Sequence, residues 1–134
     1  MTIKHILTIL AMLVIAGCQS AGIKTRAREL DESITNYSVG LRWSMLDVIE
    51  QFHKERDGEH PALDRDAMEK VRITKSTVLK QDVNKDITEA TIKGEIDYYM
   101  TDSGTLKKLN FSQDWWYDPE IKKWYIEGSF IDFK

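Results

Sequence analysis

The run Ala90-Thr91-Ile92-Lys93-Gly94-Glu95-Ile96-Asp97-Tyr98-Tyr99-Met100, then Thr101-Asp102-Ser103-Gly104, then Thr105-Leu106-Lys107-Lys108-Leu109-Asn110-Phe111-Ser112-Gln113-Asp114-Trp115, decides the fold. Apolar residues recur at every second position, the period of a half-buried strand. The four residues between the runs are turn formers. If they close a hairpin, Met100 pairs with Thr105. Tyr98 then meets Lys107, Ile96 meets Leu109, Gly94 meets Phe111 and Ile92 meets Gln113. With Ala90 and Trp115, these residues make one apolar face. On the other face Tyr99 meets Leu106, Asp97 meets Lys108 and Glu95 meets Asn110. The opposed charges of Asp97 and Lys108 support this register. A slip of one residue would turn the apolar set to water. Gly94, opposite Phe111, marks a bend in a long strand.

Strands are predicted on both sides of this hairpin. They cover Val71–Gln81, Ile87–Met100, Thr105–Tyr117 and Lys123–Phe133, with turns at Asn84-Lys85-Asp86 and Asp118-Pro119-Glu120. Short turns between consecutive strands make antiparallel neighbours. Parity places Trp124, Ile126, Gly128 and Phe130 inward on the last strand. Tyr125, Glu127 and Ser129 point outward, which sets Trp116 beside Tyr125 on the outer face. Upstream the period changes. Leu30, Ile34, Tyr37 and Leu41 form one stripe of a helix over Thr25–Leu41. A second helix runs from Ser44 as N-cap to His53 and buries Met45, Val48, Ile49 and Phe52. A charged loop with Gly58 and Pro61 leads to Asp64, the cap of a short helix over Arg65–Lys70 that packs through Ala67 and Met68. The fold class is α+β, with N-terminal helices packed on a curved, antiparallel, four-stranded meander in one domain, residues 25–134.

The segment before this domain has the parts of an export signal. Lys4 and His5 precede an apolar run from Ile6 to Ala16, too short to span a bilayer as a helix. Ile15-Ala16-Gly17-Cys18 holds the only cysteine of the chain and resembles the lipobox of bacterial lipoproteins. That resemblance implies removal of residues 1–17 and acylation of Cys18. Gln19–Lys24 is then a short tether, and Gln19, in place of Asp, favours the outer membrane over the inner one. With its cysteine acylated, the domain has no disulfide and no Cys-based metal site. The chain has 19 basic and 22 acidic residues, net −3, scattered along its length. A nucleic-acid surface would need a basic stripe.

Tyr37 with Leu41-Arg42-Trp43, Asp97-Tyr98-Tyr99, and Gln113-Asp114-Trp115-Trp116-Tyr117 followed by Lys123-Trp124 resemble small lipoproteins of the nuclear transport factor 2-like (NTF2-like) superfamily. The resemblance implies a cone-shaped, cystatin-like α+β fold whose hollow interior is closed by the first helix. Tyr37, Tyr98, Gln113 and Trp115 are the candidate pocket residues. Gln113 reads either as a ligand contact or as a core hydrogen bond. Trp116 and Tyr125 are the candidate interaction surface, or are packed under a loop. The strand carboxylates Glu89, Glu95, Asp97, Asp114 and Glu127 fall mainly outward, and no histidine lies on a strand, so no catalytic residue is assigned. His53 and His60, with Glu55, Asp57 or Glu59, lack regular metal-ligand spacing and read as solvated loop residues. No cofactor motif appears. The expected function is non-catalytic: a lipid-anchored, periplasm-facing module for an envelope protein or a small apolar ligand. The alternative is a pocket enzyme or lipid carrier of the same superfamily.

Overall fold

A computed structural model describes the backbone from Thr2 and the side chains of residues 22–134; the side chains of the signal segment 1–17, of Cys18 and of the start of the tether lie outside the described residues. The elements are α1 (Thr2–Arg42), α2 (Leu46–Phe52), α3 (Arg65–Glu69), β1 (Val71–Val83), β2 (Glu89–Met100), β3 (Leu106–Asp118) and β4 (Lys123–Glu127). The sheet is antiparallel and open, in the order β1-β2-β3-β4. The fold is α+β, with helices on one face of the sheet. Residues 22–24, read as tether, are part of α1.

The central hairpin has the register expected from its alternation, from Ala90↔Trp115 through Gly94↔Phe111 to Tyr99↔Leu106. Lys108 reaches both Glu95 and Asp97, at 3.3 and 3.6 Å. Gly94 is required by close approach. A Cβ there would collide with the Thr77 carbonyl oxygen and stand 2.6 Å from the Phe111 ring. Beside this point β1 carries two bulges, between Ile73 and Lys75 and between Val78 and Lys80. Bulges bend a strand and sharpen its twist, so the sheet curves where Gly94 admits it.

The α1 stripe Leu30, Ile34, Tyr37 and Leu41 is buried on the inner sheet face against Ile92, Ile96, Trp115, Trp124 and Ile126. The part of α1 that lies on the sheet is bolted at Arg26 and at Arg42. Arg26 Nε and Nη2 donate to the carbonyls of Ile87 and Asp86, Trp124 Nε1 donates to the Arg26 carbonyl, and Arg42 Nη1 donates to the Ile73 carbonyl.

The junction of α1 and α2 differs from expectation. Ser44 is no N-cap. Its φ is +54°, and it occupies the left-handed position after α1. Met45 N–H donates to the Gly40 carbonyl and Ser44 N–H to the Leu41 carbonyl. This is the Schellman pattern, in which two orphan carbonyls are satisfied beyond the helix end. The N-cap of α2 is Met45, with no side-chain cap bond. Ile49 is its one fully buried residue, while Met45 is exposed and Val48 and Phe52 are half-buried. Asp64 does cap α3, accepting from Ala67 N–H at 3.0 Å.

The last strand is shorter than its alternation implies. β4 ends at Glu127, and Gly128 turns the chain away at φ +92°. The following tail crosses the inner face with Phe130, Ile131 and Phe133 half-buried in the core. It is held at Gly128 by His53 and Glu55. At Lys134 its carbonyl accepts from Tyr98 Oη and Lys107 Nζ. On the far edge of β4, His53 forms a parallel bridge with Ile126, and Lys54 N–H donates to the Ile126 carbonyl.

Candidate functional site

The expected pocket residues do not form one pocket. Tyr37, Gln113 and Trp115 meet at the centre of the domain. Tyr37 and Trp115 are edge to face with ring centroids 5.9 Å apart, and Gln113 Nε2 donates to Tyr37 Oη at 3.4 Å. Tyr98 is six residues along β2 from Ile92, the partner of Gln113, roughly 20 Å away at strand rise. It packs on Phe133 and holds the tail. Between these places the interior is filled. Tyr37, Leu41, Ile49 and Met68 close against Phe130, Ile131 and Phe133 and leave no space for a water molecule.

The centre contains a residue that the spacing did not mark. His53 is fully buried, at 0 % exposure, rather than solvated. Its Nε2 is 2.9 Å from Tyr37 Oη, its Nδ1 is 3.1 Å from the Gly128 carbonyl oxygen, and Phe130 stacks on it at 4.0 Å. Burial draws the imidazole pKa down to about 4, opposed by the bond to Gly128. Burial also pushes the Tyr37 phenol well above its ordinary range, with the Gln113 bond opposing. Both groups are therefore neutral at physiological pH. A carbonyl only accepts, so His53 Nδ1 carries the proton and Nε2 accepts from the Tyr37 hydroxyl. The donors run one way, Gln113 to Tyr37 to His53 to Gly128. Gln113 is thus a core hydrogen-bonding residue. His53 continues the buried side of α2, at i+4 from Ile49, a signal too short to separate from a loop start.

Trp116 and Tyr125 are neighbours as expected, with ring centroids 5.6 Å apart, but they are not an open surface. They are 8 % and 9 % exposed. The charged loop after α2 folds over them. Lys54 Nζ lies 4.7 Å from the Tyr125 ring centre, and the Arg56 guanidinium lies 5.7 Å from that of Trp116. Trp116 Nε1 donates to the Lys54 carbonyl at 2.8 Å. Lys54 pairs with Asp118 at 2.9 Å, which raises the pKa of the lysine and lowers that of the carboxylate. Arg56 bridges Glu89 and Glu127. His60 is exposed and hydrogen-bonds the His53 carbonyl, while Glu55 is engaged with Gly128 N–H. Among the described residues no group of three His, Cys, Asp or Glu is placed to hold a metal ion.

Two open concavities remain of interest. A groove of about 410 Å³ runs between α1 and the unpaired edge of β1, lined by Ile34, Val39, Arg42, Trp43, Lys75 and Val78 with small polar residues. Trp43, 69 % exposed, stands at this groove under the Arg42 guanidinium. Its lining has two cations and no carboxylate. A second cleft, of about 450 Å³, lies between α1, the end of α2 and the β3–β4 turn, with Glu29, Gln51, His60, Lys122 and Trp124 among its walls. Glu29 Oε2 and Trp115 Nε1 are buried without a hydrogen-bond partner among the described residues. Among the described residues no helix is long and apolar enough to cross a membrane. No family model matches the chain, and neither curated proteins nor solved structures include a significant match.

Proposed function

We propose that this protein is a lipid-anchored envelope module that binds another protein without catalysing a reaction. In this reading residues 1–17 are removed, Cys18 is acylated, and the helix-on-sheet body is of the NTF2-like type, held on the periplasmic face of the outer membrane. The carrying observation is the contrast between a filled interior and an open α1–β1 groove with an exposed tryptophan. Exposed aromatics beside a groove mark protein contacts more often than isolated apolar residues do. The contact surface is thus moved from Trp116 and Tyr125, which are covered, to Trp43, Val39 and the edge of β1. A photo-crosslinking residue at Val39 in intact cells tests this. A discrete adduct that disappears with Trp43→Ala supports the reading; no adduct from Val39, with adducts from the covered loop instead, refutes it. The anchor is tested by Cys18→Ser, which is expected to release the protein from membranes.

One observation favours the pocket-enzyme or carrier alternative. The 450 Å³ cleft holds the unpartnered Glu29 oxygen, and the nearby Tyr117 phenol is raised in pKa by burial and by the Glu29 charge. An apolar fluorescent probe displaced from the protein by a natural lipid, with Glu29→Gln altering its affinity, would establish that reading instead.

A further inference from the structure

We propose that the end of the domain built from the β1–β2 and β3–β4 turns is seated on the bilayer, against anionic lipid headgroups. The inference rests on the acylation of Cys18 proposed above. It begins from chain length. Arg26 follows Cys18 by eight positions, so even a fully extended chain separates them by at most about 28 Å. Arg26 is itself fixed. It donates to the Ile87 and Asp86 carbonyls in the β1–β2 turn, and its own carbonyl accepts from Trp124 at the start of β4. Both turns are therefore at the anchored end. From there α1 carries the chain away for sixteen residues to Arg42, about 24 Å along a helix axis. Trp43 and the β2–β3 turn lie at the opposite end.

The chemistry of the anchored end agrees with a lipid surface. Lys24, Lys85, Lys122 and Lys123 are all exposed there, and none makes an ion pair among the described residues. Of the other lysines, Lys54, Lys80, Lys108 and Lys134 are ion-paired, while Lys70, Lys75, Lys93 and Lys107 are not, so what sets the anchored end apart is the grouping of four unpaired lysines around two adjacent turns. The carboxylates near the free lysines are Glu29, Glu32, Asp82, Asp86, Glu89, Asp118 and Glu120; Glu32, Asp82, Glu89 and Asp118 are already ion-paired, which leaves three against Lys24, Arg26, Lys85, Lys122 and Lys123, although the whole chain is net negative at −3. Ile121 is 49 % exposed at the tip of the β3–β4 turn, directly before Lys122 and Lys123. An apolar tip followed by two free lysines matches the headgroup boundary, where the side chain enters the acyl edge and ammonium groups meet phosphates.

The test uses the acylated full-length product in vesicles of phosphatidylethanolamine with phosphatidylglycerol. An environment-sensitive fluorophore is attached at Ile121→Cys, or at Leu106→Cys near the opposite end. Spin-labelled lipids should quench the Ile121 probe about threefold more than the Leu106 probe, and Lys122→Glu with Lys123→Glu should remove the difference. Mass spectrometry of Cys18 is read in parallel. Acylation with equal quenching at both positions overturns the seating and leaves the anchor standing. An unacylated Cys18 with preferential quenching at Ile121 overturns the anchor and keeps the surface. Preferential quenching that persists unchanged in purely zwitterionic vesicles overturns the assignment to anionic headgroups.

Discussion

Tyr37 Oη and His53 Nε2 lie 2.9 Å apart in the centre of the domain, with no ionised partner on either group. The His53 pKa of about 4 is below the unfolded value of about 6.5. Between these values the unfolded chain takes up a proton that the folded chain refuses. The stabilisation is complete above about pH 6.5 and is lost as the pH falls towards 4, by up to about 3 kcal/mol. Urea unfolding at pH 7.5, 5.5 and 4.5 should show this decline. In His53→Gln, which can still donate and accept without titrating, the decline should flatten. Parallel pH profiles for the two proteins would exclude His53 as the source.

Tyr37→Phe removes the donor to His53 and the acceptor for Gln113 in one step. It is expected to cost about 1–3 kcal/mol, the range for leaving buried polar groups unmatched. With His53→Leu added, the combined loss should be smaller than the sum, because both changes break the same chain of donors. Additive losses in chemical denaturation would contradict the coupling.

Ser44 holds a left-handed conformation at the end of α1, where a side chain is disfavoured and glycine is the usual occupant. Ser44→Gly should raise stability by about 0.5–1 kcal/mol, after the added freedom of the unfolded chain is subtracted. A lowered midpoint in thermal unfolding would show that the serine is not strained.

At Gly94 the opposite holds. The methyl of Gly94→Ala would strike the Thr77 carbonyl, which is backbone and cannot swing aside, as well as the Phe111 ring. A loss of about 2 kcal/mol or more is expected. A neutral result would mean that the sheet relaxes here more easily than its bulges imply.

Trp116 and Trp43 should behave differently on truncation. Trp116 is covered by Lys54 and Arg56 and bonded to backbone, so Trp116→Ala should lower stability by about 3 kcal/mol. Trp43→Ala should stay within about 0.5 kcal/mol of the parent. Equal losses in urea unfolding would contradict this division of covered from open aromatics.

Local periodicity explains why the hairpin register was readable and His53 was not. From Ala90 to Trp115 the alternation, the turn and the Asp97–Lys108 charges agree, so one register satisfies all three. His53 is placed by contacts with Gly128, 75 positions later, and nothing near it in the chain signals that partner. Alternation puts Trp116 and Tyr125 side by side, as they are in the sheet. Alternation identifies a face but not what lies on it, and the covering loop reads as solvated because its heads are charged while their stems lie over rings. Ser129–Phe133 keeps an alternating pattern beyond β4, yet the positive φ of Gly128 removes it from the sheet. Of the four expected pocket residues, three converge because parity and helix stripe meet at mid-sheet. Tyr98 shares their parity, but its distance along the strand separates it from them.

The parallel bridge between His53 and Ile126 also constrains the order of assembly. The outer margin of β4 is completed by a segment that is synthesised long before β4 itself. Until Ile126 arrives, the amide of Lys54 lacks its carbonyl acceptor and the rings of Trp116 and Tyr125 have no sandwich to enter. Such distant pairings form slowly, which makes the 53–56 segment the part of the nascent chain that waits longest for its partners.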